Sequence, residues 1–131
     1  MNKKGYTLIE LIAVIAIIAA VGTFGVVGVS KLISNSKQQR YDEMVEDLKA
    51  AGNTYFSIYS EKSEYSYLKE RLYSSPNQVK IKIDDLKEAL LVDENLKDPK
   101  TNELVSGCVI ITYTSGTINY TTCITSSCNC N

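Results

Sequence analysis

The chain has no histidine and no tryptophan, and its only prolines are Pro76 and Pro99. Without histidine it lacks both the side chain that most often ligates metals and the one that most often serves as general base. No Ser/His/Asp set, His/Cys cluster or phosphate-cradling glycine loop is present. These absences argue against an enzyme and imply no cofactor. An excess of either charge is missing too: 14 basic and 15 acidic residues give a formal net charge of −1. With no basic stripe, nucleic acid is not an evident partner of the single chain.

A more pointed absence lies near the N-terminus, where residues 11–29 form a run of 19 without a charge. At about 1.5 Å of helical rise per residue such a run spans roughly 28 Å, the thickness of a bilayer's hydrocarbon. Residues 11–21 are apolar on every face, whereas 22–28 are looser, with Gly22, Gly25 and Gly28 recurring every third position. Lys3 and Lys4 precede the run. The positive-inside tendency therefore keeps the N-terminus cytoplasmic and sends the C-terminus out. Glu10 stands one residue before the run. An unpaired carboxylate at a membrane helix centre costs about 2.5–3.5 kcal/mol, and less near the interface, so Glu10 calls for a partner. A secretory signal peptide and a plain single-pass anchor both leave it unexplained, and residues 27–30 make a poor small-x-small cleavage site.

Lys3-Lys4-Gly5, followed by Tyr6-Thr7-Leu8-Ile9-Glu10 and the apolar run, resembles the class III signal of type IV pilins and pseudopilins. The resemblance implies a membrane peptidase that cuts between Gly5 and Tyr6 and methylates the new N-terminus at Tyr6. Glycine at the cut lets the backbone approach the peptidase closely. The family usually has Phe where this chain has Tyr6. The family model has Glu10 neutralise the α-amine of a neighbouring subunit. A buried ion pair adds little net stability but penalises wrong registers, so Glu10 is an assembly residue, not an acid catalyst. Many relatives also carry a proline partway along this helix. Here Gly22, Gly25 and Gly28 stand as weak points, at about 1 kcal/mol each relative to Ala, or as a close-packing face.

Beyond Ser30 the pattern becomes periodic. Tyr41, Met44, Val45, Leu48, Ala51, Tyr55 and Tyr59 fall at steps of three and four, one face of a helix. Helix is expected from about Thr7 to Tyr59, with Met44, Val45 and Leu48 packed on a C-terminal sheet. Fewer than 100 residues follow the first 33, too few for a secure core unless a helix, a disulfide or neighbouring subunits help. Leu68 to Leu72 suggests a helical turn, 79–83 a short strand, and 84–91 a short helix with an Asp cap and Glu88 three residues after Asp85. Asp98-Pro99 opens a loop, and the stretch from Asp85-Leu86 through Asp98-Pro99, a short helix leading into a DP turn, resembles a segment of Gram-positive relatives.

Cys108, Cys123, Cys128 and Cys130 all fall in the last 24 residues. An even cluster in a small domain reads as a disulfide framework, and the C-x14-C-x4-C-x-C spacing lacks the knuckles of a zinc site. Runs 107–113 and 118–123 flank a turn containing Gly116. Centring it on Ser115-Gly116 puts 113 opposite 118 and Cys108 opposite Cys123. A four-residue loop makes that a non-hydrogen-bonded site, where side chains approach closest, and a Cys108–Cys123 disulfide is expected. Cys128 and Cys130 are left to tie the tail to the sheet, to bond in a second subunit, or to stay free.

The expected fold is α+β: a long N-terminal helix, half membrane-inserted and half amphipathic, on a small antiparallel sheet. Its divisions are a leader at 1–5, a hydrophobic helix at 6–29, an amphipathic continuation at 30–60, and a C-terminal module at 61–131 containing the hairpin 107–124. The resemblance implies a structural subunit of a pilus or pseudopilus, in self- or mixed polymers, serving adhesion, motility, DNA uptake or secretion. The prepilin peptidase, a platform protein and an assembly ATPase are its implied partners, with membrane lipid before assembly and DNA only at filament level. A single-pass membrane form precedes the extracellular filament. A low-abundance initiating or tip subunit and a non-polymerising anchored binding domain are the alternatives.

Overall fold

The computed structural model describes residues 7–131, apart from the side chains of 22–27. The chain divides into two units, Met1–Lys37 and Gln38–Asn131. Helix α1 (Leu8–Tyr59) contributes to both. A 3-10 turn (Ser63–Tyr65), α2 (Tyr67–Tyr73), β1 (Gln78–Lys82), α3 (Ile83–Glu88), β2 (Cys108–Thr114) and β3 (Thr117–Cys123) follow.

The expected α+β architecture is borne out. The 52 residues of α1 contain no proline and are assigned as helix without interruption across Gly22, Gly25 and Gly28. Thr7 O opens the helix, accepting from Glu10 N at 3.0 Å and Leu11 N at 3.2 Å. An added Cβ at Gly28 would meet nothing within 4 Å; Gly22 and Gly25 lie within the stretch whose side chains are outside the description.

In the second unit, the three strands form one antiparallel sheet in the order β1-β2-β3. The periodic face of α1 supplies Met44, Leu48, Ala51, Tyr55 and Phe56 to the core, while Val45 is half-buried. Leu72, Ile83, Leu86, Val109 and Ile111 complete it from the shorter elements. Gly52, the poor helix former on this face, is explained by its neighbour. An added Cβ there would stand 2.6 Å from Cγ1 of Val109, so glycine lets α1 close on β2.

The capping expected of α3 is corrected. The helix covers Ile83–Glu88 rather than 84–91, its N-cap is Lys82, and no side chain caps it. Ile83 is fully buried, and its N–H donates to Gly107 O at 2.9 Å. The chain thus passes directly from β1 into α3, which puts Asp84 and Asp85 inside the first turn rather than at the cap, while Gly107 O takes one of the N–H groups left over at the helix start. Leu90, with φ of 58°, ends the segment in a left-handed turn.

The hairpin register is as expected, with Tyr113 opposite Ile118 and Cys108 opposite Cys123. The loop is not. Thr114 pairs with Thr117, leaving a two-residue turn with positive φ at Ser115 (51°) and Gly116 (85°), the type I′ geometry that matches strand twist.

That change of loop reverses the hydrogen-bond alternation and with it the expected disulfide. Tyr113 N donates to Asn77 O, and Gly107 O accepts from Ile83 N, so odd-numbered residues of β2 bond towards β1. Even-numbered ones, Cys108 included, bond towards β3. Cys108 and Cys123 therefore occupy a hydrogen-bonded site, where opposed Cβ atoms stand at the wide end of about 4.5–5.5 Å. A disulfide wants about 3.8 Å. Each cysteine instead bonds to the tail: Cys108 to Cys130 and Cys123 to Cys128, with Cα separations of 5.8 and 6.0 Å. A turn in which Cys128 N donates to Thr125 O at 3.3 Å folds the tail back. No cysteine is free.

Candidate functional site

Glu10 lies in the first turn of α1. A carboxylate there faces the positive end of the helix dipole, a local stabilisation of about 0.3–1 kcal/mol. Among the described residues Glu10 has no ion-pair partner. Gly5 and Tyr6, the expected cleavage and methylation positions, lie outside the described residues.

Around Glu10 the helix is apolar on all sides and uncovered. Leu8, Ile9, Leu11, Ile12, Ile15 and Ile18 are between 55% and 78% exposed. Successive helical positions turn by about 100°, so these side chains make no single stripe of the kind a core-facing helix shows. Uniform apolarity of this sort is satisfied only by lipid or by other helices packed around it. Among the described residues no helix is long and apolar enough to cross a membrane.

The second unit presents a different surface. Tyr55 and Tyr59 stack with centroids 4.2 Å apart, and Tyr65 meets Tyr59 edge-on at 5.2 Å. The Lys62 ammonium sits 4.4 Å above the Tyr59 ring. Burial, then the nearby Asp85 carboxylate, pushes the Tyr55 phenol up to about 12, so it stays protonated at physiological pH. This cluster closes the C-terminal end of α1 and reads as packing. Among the described residues no group of three or more His, Cys, Asp or Glu side chains is arranged to hold a metal.

A groove of about 610 Å³ runs beside α1, with Met44, Leu48 and Ala51 on its floor and Leu91, Val92 and Leu96 along its far wall. The sequence reading missed it. The helical half was visible in the periodicity, but nothing in 91–99 announced that this loop would lie alongside the helix and leave a channel.

Residues 1–26 match the family model of the prokaryotic N-terminal methylation motif, the class III signal of type IV pilins. No curated protein and no solved structure matches the chain.

Proposed function

We propose that this chain, bearer of a class III prepilin signal, is a structural subunit of a type IV pilus or pseudopilus filament. The observation that carries the reading is the methylation motif over residues 1–26. The uncovered apolar side chains within it supply the physical reason for assembly.

In this reading a membrane peptidase cuts between Gly5 and Tyr6, and Tyr6 becomes the methylated first residue. The new α-amine lies four residues from Glu10, near the same depth in the bilayer. Residues 6–29 wait in lipid with the C-terminus outside. On assembly they exchange lipid contacts for contacts with neighbouring helices. Close packing and paired polar groups drive that exchange, because lipid tails are as apolar as leucine. Glu10 neutralises the amine of the next subunit and sets the axial register: in a hydrocarbon-like bundle a misregistered acid is left unpaired, at several kcal/mol. Residues 61–131, braced by two disulfides, form the outer surface.

The test is mass spectrometry of the N-terminus in sheared surface material. The reading predicts a peptide that begins at methylated Tyr6, recovered from filaments. An intact Met1 in a protein that stays wholly with membranes contradicts it. Cleavage at Gly5 with the chain present only in traces at filament ends instead identifies an initiating or tip subunit.

A further inference from the structure

We propose that the groove beside α1 seats residues 29–37 of a second copy of this chain, so that each subunit of the filament grips its neighbour through a helix-in-groove contact. The inference rests on the polymer reading and adds a second contact, separate from Glu10.

The groove has the form such an occupant needs. Its floor and far wall are apolar, it extends along α1 from Arg40 to Thr54, and Glu43, Asp47 and Asp93 border it. Arg40 and Lys97 also line it, leaving three acids against two bases. Glu43 and Asp47 have no ion-pair partner among the described residues; the helix's own pair is Lys49 with Glu46.

Residues 29–37 have the complementary chemistry. Val29, Leu32 and Ile33 fall at i, i+3 and i+4, one helical patch, and each is more than half exposed. Lys31 and Lys37 flank the patch, and the segment contains no acid. Neither lysine has an ion-pair partner among the described residues. An apolar ridge with basic shoulders therefore meets an apolar channel with a net acidic border. The mode is that of an amphipathic helix anchored through i, i+3 and i+4 side chains. The contact is heterologous, joining two different patches, and such contacts propagate into open filaments.

Two experiments on the full-length chain in its producing cells test the inference. In the first, Leu32→Cys and Ala50→Cys are combined, Ala50 being an exposed residue of the groove. The native cysteines are already bonded to one another. The expected result is a ladder of covalent dimers and higher multimers on a non-reducing gel, seen only with the double variant. Filaments without that ladder overturn the inference and leave the polymer reading standing. If the unaltered chain never polymerises, both fall. A disulfide from the Ala50→Cys position to a different protein, identified by mass spectrometry, assigns the groove to another partner and overturns this one.

The second experiment reverses charge. Asp47→Lys should lower filament yield about fivefold, the upper range of a single exposed ion pair, and adding Lys31→Glu or Lys37→Glu should restore it. Failure of both reversals to restore yield counts against the contact.

Discussion

The two parts of this chain treat apolar side chains in opposite ways. Between Leu8 and Val21 they stand in the open on every side of α1, whereas in the second unit Leu48, Leu72, Leu86 and Ile111 are wholly withdrawn from solvent. The difference lies in periodicity. Where apolar residues recur at three and four, one face meets a sheet and folding satisfies it. Where they fill every position, folding within the chain leaves most of the surface uncovered, and something outside the chain must cover it. The first kind of apolar surface stabilises the subunit; the second stabilises an assembly.

Paired substitutions should separate these two uses. Leu48→Ala is expected to destabilise the folded module by about 2–5 kcal/mol, as lost burial plus a cavity, read from denaturant melting of the full-length protein in detergent. Ile15→Ala should leave that melting unchanged and reduce filament yield. Equal losses of melting stability from the two would erase the distinction.

The disulfides offer a smaller handle on the second unit alone. In the loop-entropy account, replacing Cys108 and Cys130 together by serine should cost about 3 kcal/mol, and replacing Cys123 and Cys128 about 2, because the second pair closes the shorter loop. Melting of the two double variants measures the order, and a reversed order would place the tail's main anchor at the wrong pair.

The finest test is at Gly52. Alanine improves helix propensity by about 1 kcal/mol, yet its Cβ would press on Val109, and overpacking costs about 1–3 kcal/mol. A net loss near 1 kcal/mol is expected, and it should shrink when Gly52→Ala is made in a Val109→Ala background. A gain in stability from Gly52→Ala alone would mean that α1 and β2 are not in tight contact.

Much of this was legible in the sequence, for identifiable reasons. The extent of α1, the α2 turn and the pairing of Cys108 opposite Cys123 follow from period, turn residues and composition, which are local signals. Disulfide partners were not legible, because they depend on which edge of β2 each backbone group faces. A two-residue turn in place of a four-residue one inverts that alternation without moving the register. The expected Asp cap of α3 is absent because β1 runs straight into the helix and leaves Asp84 and Asp85 inside its first turn, a start fixed by the pairing of Ile83 with Gly107, distant in sequence. The groove was missed because a loop's path over a helix is set by tertiary packing. For the N-terminal site the sequence was the better witness: Glu10 was conspicuous against an uncharged background, and the partner proposed for it belongs to another copy of the chain.

The most direct test of the account is Glu10→Ala, with sheared filament yield, N-terminal processing and module melting read from the same cells. Stripping one partner from a buried ion pair costs about 3–5 kcal/mol, so the yield should fall by roughly a hundredfold or more. Cleavage after Gly5 and the melting of the module should be unchanged, since the module's core is drawn from Tyr41 onward. Filaments of ordinary length and yield from that variant would contradict the claim that Glu10 holds the assembly in register.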